Sequence, residues 1–360
     1  MKMFFVNNGR VASGAEEHLL DLAPPFIANG VEPVFLVREN GNLKDKLWER
    51  GYKVYTVFNN KNLSLPFRIA RLIRQEEPDV ISVNREHTIY AVLAGYLLAL
   101  PFLKNRPKLV NVFHTPTGRW YPLLTMLFDG IIATSRYTAQ SFYPKNKGME
   151  EMTTIIHYGI EPTAVDTLQK FDRDRPRRIF PDRKFPIIAM VGELWKNQEE
   201  LIDAAVYLTK VFPDITIAIV GGGGTAHLEE KIRNFGVEKN FILTGRIPRE
   251  KVTDLFYDCD LSVSTHRNEG FGIVHIESLA AGTPVVAYNS GGLVEIIENG
   301  GGVLVGGGTR EFAEAIIELL KNDEKRFALG RQGREVVDRY FTLDKMSSAH
   351  FAYYSRLMGN

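Results

Sequence analysis

The sequence lacks the features that mark a secreted or a nucleic-acid-binding protein. Cys259 is the single cysteine among 360 residues, so no internal disulfide can form, and a reducing cytoplasm is the expected compartment. A catalytic thiol is the less favoured alternative, because the sequence offers no activating neighbour for it. The formal net charge is +1, which does not indicate a nucleic-acid partner.

Long apolar runs are also missing. The opening run M-K-M-F-F-V-N-N is too short for a signal peptide and is typical of a first strand. The most apolar segment, residues 89–103, is interrupted by Pro101, whereas a membrane span needs about 20 residues. It is interpreted as a buried helix. The alternative is peripheral contact with the inner face of the membrane, because Lys104, Arg106 and Lys108 follow.

Short apolar runs alternate with amphipathic stretches in both halves of the chain, which predicts parallel strands joined by helices. The predicted strands are Phe4–Val6, Pro33–Val37, Val54–Val57, Val80–Val83, Leu109–Phe113 and Gly130–Ala133, and then Ile187–Val191, Ile215–Val220, Phe241–Leu243, Leu261–Ser264, Val285–Ala287 and Val303–Val305. Residues 166–185 are charged and proline-punctuated, as expected of a linker. The expected fold class is therefore α/β, with Rossmann-like domains at residues 1–165 and 186–340.

A glycine-containing loop opens a predicted helix in the second half. Residues 268–292 read N-E-G-F-G-I-V-H-I-E-S-L-A-A-G-T-P-V-V-A-Y-N-S-G-G. Gly270 and Gly272 lead into a helix predicted from about Ile273 to Ala281, and the following G-T-P sequence ends it. The exposed N–H groups at the start of such a helix attract phosphate.

Glu269 and Glu277 flank the start of this helix. If both were helical, they would lie roughly 12 Å apart along its axis. The paired carboxylates of glycosidases lie about 5–10 Å apart on opposite sides of one bond. A two-carboxylate glycosidase is therefore the less favoured interpretation, and two separate roles on one elongated ligand fit better.

The string as a whole resembles the signature of retaining glycosyltransferase family 4. It has Glu, seven residues and Glu, with G-F-G after the first and A-G-T-P-V-V-A after the second. Members of that family have the GT-B fold, in which two Rossmann-like domains face each other across a cleft. The resemblance implies that the first domain holds the acceptor and the second holds the donor. It also implies that the C-terminal helix, residues 341–360, packs back on the first domain.

The resemblance also implies roles for the residues of the string. Glu269 would meet the hydroxyls of the donor sugar, and Glu277 would hold the ribose hydroxyls of the nucleotide. Backbone N–H groups around the loop and the helix start would face the sugar and the diphosphate; these residues are Gly270, Phe271, Gly272 and Ile273.

Four further places in the sequence resemble the family. Gly14 lies in the S-G-A-E-E-H segment, where its backbone would approach the diphosphate or the acceptor. His114 follows a predicted strand and matches a histidine near the donor sugar. Lys196, in V-G-E-L-W-K-N-Q, takes the place of the lysine that neutralises the diphosphate. Arg246 and Ile247 lie in T-G-R-I-P, a loop that would hold the base through backbone contacts, which leaves uridine, guanosine and adenosine open.

The chain departs from the family pattern at two positions. Ser13 stands where a second glycine is more frequent. Glu193 stands where an arginine often follows the glycine, which removes one cation from the expected diphosphate clamp. Arg267 or Arg246 could compensate for that cation.

Two other motifs are less favoured. The glycine run at 221–224 fits a nicotinamide-dependent dehydrogenase, but the acidic residue expected at the end of the next strand is missing. D-x-D triplets, which bind a divalent ion in metal-dependent glycosyltransferases, occur at 172–174 and 258–260. The first lies in the predicted linker and the second runs into a strand. No obligatory metal and no cofactor are therefore expected.

The expected function is a metal-independent, retaining hexosyltransferase that uses a nucleoside diphosphate sugar as co-substrate. Its acceptor would be a hydroxyl of a cell-envelope glycan or glycolipid. The alternatives are a sugar-nucleotide epimerase of GT-B fold, a hydrolase that releases free sugar, and a non-catalytic sugar-nucleotide-binding protein. The full string at 268–292 favours the transferase over each of them.

Overall fold

The structure, a computed structural model, describes residues 1–10, 14–58, 64–121, 123–161, 170, 172, 175–183 and 185–359. The chain divides into two compact units. The first contains Met1–Tyr158 and Leu343–Asn360, and the second contains Gly159–Thr342. Each unit is built on its own parallel sheet, and helices connect the strands, as the alternating sequence pattern predicts.

The first unit contains a seven-stranded sheet in the order β3-β2-β1-β4-β5-β6-β7. Its strands are β1 (Lys2–Asn7), β2 (Glu32–Arg38), β3 (Lys53–Phe58), β4 (Val80–Val83), β5 (Lys108–Phe113), β6 (Gly130–Ala133) and β7 (Thr153–Ile155). Its helices before residue 158 are α1 (Gly14–Ala28), α2 (Asn42–Glu49), α3 (Leu65–Glu76), α4 (Ile89–Ala99), α5 (Leu124–Leu127), α6 (Arg136–Phe142) and α7 (Met149–Met152).

The second unit contains a six-stranded sheet in the order β10-β9-β8-β11-β12-β13. Its strands are β8 (Ile187–Val191), β9 (Thr216–Val220), β10 (Phe241–Gly245), β11 (Leu261–Ser264), β12 (Val285–Tyr288) and β13 (Gly302–Val305). Its described helices are α8 (Gln198–Val211), α9 (Ala226–Asn234), α10 (Val252–Asp258), α11 (Ile273–Ala280), α12 (Leu293–Ile297), α13 (Thr309–Lys321) and α14 (Asp323–Tyr340).

Every strand predicted from the sequence is a strand in the structure, to within a few residues at its ends. The sequence does not predict β7, because its residues Thr-Thr-Ile form too short and too polar a run to be distinguished from a loop. The central strands are buried on both faces, so their continuous apolar runs are typical of parallel sheets.

Residues 166–185 are predicted to form a linker, but the described residues of this segment pack into the second unit. The side chain of Lys170 is buried and donates to the backbone carbonyls of Phe256 and Tyr257, at 2.7 and 2.8 Å. Arg175 is also buried, and it forms an ion pair with Asp260 at 3.3 Å. These residues therefore belong to the second unit. The unit boundaries fall at Tyr158/Gly159 and Thr342/Leu343 rather than at 165 and 340.

A buried carboxylate fixes the next part of this segment. Asp258 accepts hydrogen bonds from the backbone N–H groups of Arg178, Ile179 and Phe180, at 2.7, 2.6 and 2.8 Å. Charge-assisted bonds of this kind are the stronger ones in proteins. They hold a charged, proline-punctuated stretch against the core although it lacks the periodicity of a helix or a strand.

The last helix, α15 (Leu343–Met358), completes the first unit and packs against α1. The hydroxyl of its Tyr354 lies 3.1 Å from Oγ of Ser82 on β4, and both residues are buried. The chain enters and leaves the second unit side by side, because the N–H of Ile160 donates to the carbonyl of Phe341 at 2.9 Å. The second unit is thus an insertion into the sequence of the first.

The most apolar segment of the sequence forms α4 and a short 3-10 turn, Leu100–Phe102. Several α4 side chains are buried, among them Val92, Leu93 and Tyr96, which accords with the predicted buried helix. Among the residues that the structure describes, no helix combines the length and the apolar character needed to cross a membrane.

Replacing Asp258 with asparagine should destabilise the protein. The amide keeps the size of the side chain but brings an NH₂ group towards backbone donors and removes the charge from bonds worth about 1.5–3 kcal/mol each. We expect a loss of about 2–4 kcal/mol in the free energy of unfolding, measured by urea denaturation. Asp214→Asn is the matched control, because its side chain is 95% exposed. Equal stability of the two variants would contradict the anchoring role.

Candidate functional site

The second sheet has one point at which its strand order reverses. Strands β8 and β11 are hydrogen-bonded neighbours there, and the chain continues outwards from them in opposite directions. Loops that follow such strands diverge above the sheet edge and leave a crevice, which is where ligands bind in open α/β sheets. The loop after β8 carries Lys196, and the loop after β11 carries Glu269.

Lys196 and Glu269 meet across this crevice. Nζ of Lys196 donates to Oε2 of Glu269 at 2.6 Å, and their side chains are 20% and 13% exposed. Burial raises the pKa of Glu269, but the charge and hydrogen bond of Lys196 outweigh that effect, so its pKa lies below the usual value. The site therefore contains an ionised carboxylate paired with an ammonium group, both within reach of solvent.

Hydrogen bonds between Asn197 and Thr265 join the same two loops. The hydroxyl of Thr265 donates to the carbonyl of Asn197 at 2.6 Å, and the amide of Asn197 donates back to the carbonyl of Thr265 at 3.3 Å. Asn197 adopts a left-handed conformation with φ of 63°, which asparagine tolerates better than most residues. The positions of Lys196 and Glu269 are thus fixed by their own loops.

A third loop contacts the backbone of Glu269. It follows β12, and its residue Gly292 donates to the carbonyl of Glu269 at 2.7 Å. A Cβ atom at Gly292 would lie 2.2 Å from the carbonyl oxygen of Gly270, so only glycine allows this approach. The sequence does not predict this role of Gly292, although N-S-G-G at the end of a predicted strand is a signal that could reveal it.

The helix predicted after the glycine loop is α11, and it begins at Ile273. Gly270 and Phe271 are buried, and the Phe271 ring packs edge-on against Phe341 at 5.6 Å. Gly272 directly precedes the helix, so its first N–H groups are presented at the crevice edge. Glu269 is not part of the helix, and its spacing from Glu277 is therefore not a helical rise.

Glu277 lies on α11, whereas Glu269 lies in the loop before that helix. Its side chain is 15% exposed, and Oε1 lies 3.9 Å from Nε of Arg249. His275 lies between the two glutamates in the sequence. Burial lowers the pKa of His275 to about 4, so this imidazole is neutral near pH 7. The carboxylates thus occupy separate places, one at the loop and one on the helix.

Glutamates engage both arginines that could replace the missing cation. Nη2 of Arg246 lies 2.7 Å from Oε1 of Glu193, the residue that departs from the family pattern. Arg267 forms a two-pronged ion pair with Glu200, at 2.6 and 2.9 Å. Ile247, beside Arg246, is half-buried against the small apolar cluster under β8 and β9.

The glycine run after β9 has a packing explanation. A Cβ atom at Gly221 would lie 1.8 Å from the carbonyl oxygen of Gly192, so the loops after β8 and β9 touch backbone to backbone. The guanidinium of Arg246 lies over Gly222, where a Cβ would come within 2.2 Å of Nε. These close approaches account for Gly221 and Gly222, and they bring Arg246 and the Glu193 loop together.

The other two predicted residues lie in the first unit. Gly14 is exposed and begins α1, and Ser13 falls outside the described residues. His114 directly follows β5, and its Nδ1 lies 2.5 Å from the hydroxyl of Tyr158. Burial, followed by the charge of Arg85, lowers the pKa of His114 to about 3, so its ring is neutral. Its Nε2 is buried and has no hydrogen-bond partner among the residues that the structure describes.

The D-x-D triplets are not predicted to bind a metal ion. Asp258 and Asp260 are both buried and hold backbone N–H groups, in the case of Asp260 that of Ile187 at 2.7 Å. In the part of the chain that the structure describes, no group of three or more histidine, cysteine or carboxylate side chains is arranged to hold a metal ion.

Two family models match successive parts of the chain. The model described as "Glycosyltransferase Family 4" matches residues 12–164, and "Glycosyl transferases group 1" matches residues 172–336. An uncharacterized glycosyltransferase of Methanocaldococcus jannaschii is 34% identical over 288 residues, which cover 75% of this chain and 73% of that protein. The N-acetyl-alpha-D-glucosaminyl L-malate synthase of Bacillus anthracis is 25% identical over 95% of this chain and 89% of its own length.

Solved structures of other proteins have the same fold. HepE of Anabaena in complex with UDP-glucose aligns with a TM-score of 0.81 and 23% identity, over 99% of this chain and 100% of that one. A glycosyltransferase from Rickettsia africae aligns with a TM-score of 0.82 and 20% identity, over 100% and 99%. The matched family models, the relative in M. jannaschii and these structures agree: the chain belongs to glycosyltransferase family 4 and has the GT-B fold.

Proposed function

We propose that this glycosyltransferase moves a hexose from a nucleoside diphosphate sugar to an acceptor hydroxyl with retention of anomeric configuration. The observation that carries the proposal is the meeting of Lys196 and Glu269 at the switch point of the second sheet, 2.6 Å apart. A cation there can neutralise a diphosphate, and a carboxylate beside it can accept bonds from sugar hydroxyls.

The negative charge of the departing nucleoside diphosphate is what the site has to stabilise. When the bond between the anomeric carbon and the diphosphate breaks, negative charge grows on the phosphate oxygen. Lys196 stabilises that charge, and the N–H groups at the start of α11 add to the effect through the helix dipole. In the proposed mechanism a donor phosphate oxygen takes the proton of the acceptor hydroxyl on the same face, so no protein base is required.

The remaining residues receive positioning roles in this proposal. Glu277 holds the ribose hydroxyls, and Glu269 holds hydroxyls of the donor sugar. The loop carrying Arg246 and Ile247 contacts the base. Gly14 approaches the diphosphate or the acceptor, and neutral His114 helps to hold the reacting centre. A crystal structure of HepE contains UDP-glucose, so UDP-glucose is the first donor to test.

The proposed setting is the cytoplasm, with a cell-envelope glycan or glycolipid as acceptor and peripheral contact at the membrane. The end of α4 and the turn after it expose Leu97, Leu98 and Phe102, at 44%, 42% and 61%. Lys104 and Arg106 follow directly and would attract anionic lipid headgroups.

Nucleotide binding tests the donor site. UDP, GDP and ADP, alone and as their common sugars, should be compared by thermal shift, because a ligand at 100 times its Kd stabilises by about 2.7 kcal/mol. For the nucleotide that binds, Glu277→Ala should weaken affinity by about ten- to a hundredfold in calorimetry, since a hydrogen bond to a charged group is worth about 1.5–3 kcal/mol.

Glu335→Ala is the matched control for that measurement, because Glu335 is also helical but exposed on α14. Unchanged nucleotide affinity in Glu277→Ala would remove the ribose role. Turnover without an acceptor, to an altered sugar nucleotide or to free sugar as the main product, would favour the epimerase or the hydrolase.

Lys196→Ala should lower kcat by roughly a hundredfold and weaken binding of the nucleoside much less, because the charge it stabilises develops in the transition state. Turnover is measured as nucleotide released from the sugar nucleotide identified above. Lys239→Ala, at a side chain that is 69% exposed, controls for loss of a lysine. Equal losses in nucleoside affinity and in turnover would assign Lys196 a structural role.

Chelation tests the proposed absence of an obligatory metal. Turnover in excess EDTA should equal turnover in untreated buffer, because Lys196 and the N-terminus of α11 supply the positive potential that a divalent ion would otherwise provide. Loss of activity that Mn²⁺ restores would contradict this proposal.

A further inference from the structure

The first unit contains a cavity of about 630 Å³ that none of the roles above uses. Its walls come from the segments that follow β4 and β5, two neighbouring strands of the sheet, and from the turn after α6. The cavity therefore lies at the carboxyl edge of a parallel sheet, where binding sites form in such folds.

Two aromatic rings face solvent at this cavity. Trp120 is 67% exposed and Tyr90 is 51% exposed. Removing a large aromatic side chain from water lowers the free energy. An aromatic ring that stays exposed in a concave site therefore suggests a ligand with an apolar face. The C–H face of a pyranose ring supplies such a face, while its hydroxyls remain available for polar partners.

The loop that carries Trp120 is rigidly held. The amide of buried Asn146 accepts from the N–H of Tyr121 at 2.6 Å and donates to the carbonyls of Arg119 and Phe142, at 2.8 and 2.7 Å. The N–H of Thr117 donates to Oγ of Ser141 at 2.8 Å. The exposed tryptophan is thus presented by a fixed backbone, and binding would cost little ordering of the loop.

The polar groups of the cavity include more cations than carboxylates. Glu86 accepts from the Tyr121 hydroxyl at 2.6 Å, and its Oε2 lies 3.9 Å from Nη1 of Arg119. Lys145 lies on the other side of the loop, with Nζ 3.8 Å from where a Cβ of Gly118 would stand. Among the described residues, no carboxylate is within ion-pair distance of Lys145. One positive charge in the cavity is therefore unbalanced.

The geometry points to this cavity as the acceptor site, with specificity for an anionic saccharide. A sugar ring would stack on Trp120 and Tyr90, and a phosphate or carboxylate group would lie between Arg119 and Lys145. Glu86 would accept a bond from a sugar hydroxyl. This inference rests on the proposed function for its acceptor role, while the binding itself rests on the cavity alone.

Fluorescence of Trp120 can test the binding directly. The chain has three tryptophans, so Trp48→Phe with Trp195→Phe leaves Trp120 as the only one. This protein should be titrated with glucose 1-phosphate, glucuronate, glucose and inorganic phosphate. The phosphate and carboxylate sugars are expected to bind at least about tenfold more tightly than glucose or phosphate alone, and their order identifies the anionic group.

Charge removal then locates the site. In the same background, Arg119→Gln with Lys145→Gln should reduce the affinity for the anionic sugars to that for glucose. Lys147→Gln is the matched control, because it removes one exposed lysine near the cavity but not in its wall. All these positions are exposed, and thermal unfolding of each variant checks that the fold is kept.

Three results would overturn the inference: no saturable response of Trp120, equal affinities for glucose and its phosphate, or unchanged affinities in the double glutamine variant. Binding to phosphatidylglycerol vesicles that depends on Arg119 and Lys145, without a response to the saccharides, would also overturn it in favour of a membrane surface. Nucleotide thermal shifts on the protein with all three tryptophans separate the two proposals. Retained nucleotide binding leaves the donor site standing when the cavity fails, and absent nucleotide binding refutes the donor site whatever the saccharides do.

Discussion

Parallel pairing of strands is the constraint on which the second unit depends. Because all six strands run in the same direction, every loop that follows a strand emerges at one edge of the sheet. At β8 and β11 the chain turns away in opposite directions, and Lys196 and Glu269 face each other across the resulting gap. The hydrogen bonds between Asn197 and Thr265 then keep that gap at a fixed width.

The charges at this edge are compensated without a ligand. Glu193 engages Arg246, Glu200 engages Arg267, and Glu269 engages Lys196. In the proposed function, an incoming diphosphate would compete with a carboxylate for each of these cations. Pairing with carboxylates lowers the cost of bringing the cations together, and donor binding would then depend on an exchange of partners as well as on net charge.

Much of the fold could be predicted from the sequence because strands and helices are local patterns. The runs at Ile187–Val191 and Leu261–Ser264 are apolar and β-branched, and each became a strand buried on both faces. The helix start at Ile273 was readable from the glycines before it. Side-chain identity at 268–292 likewise led to the family, which the comparisons confirmed.

The parts that could not be predicted depend on contacts between distant residues. Nothing local in the sequence links Glu193 to Arg246, or Asp258 to the backbone at Ile179. From its sequence, Gly292 is typical of an ordinary turn residue, and only the fold brings it against Gly270. The sequence before β8 predicts a linker because charge and proline usually mark exposed chain, whereas buried Lys170 and Arg175 have backbone carbonyls and a carboxylate as partners.

The order of the units along the chain has a consequence for biosynthesis. The second unit is contiguous from Gly159 to Thr342, but the first is completed only by α15. During translation all strands of the second unit are therefore synthesised before α15, the helix that packs on α1 and contacts Ser82. The first unit is begun first but can complete its fold only when α15 is available, and until then the surface that α15 covers stays exposed.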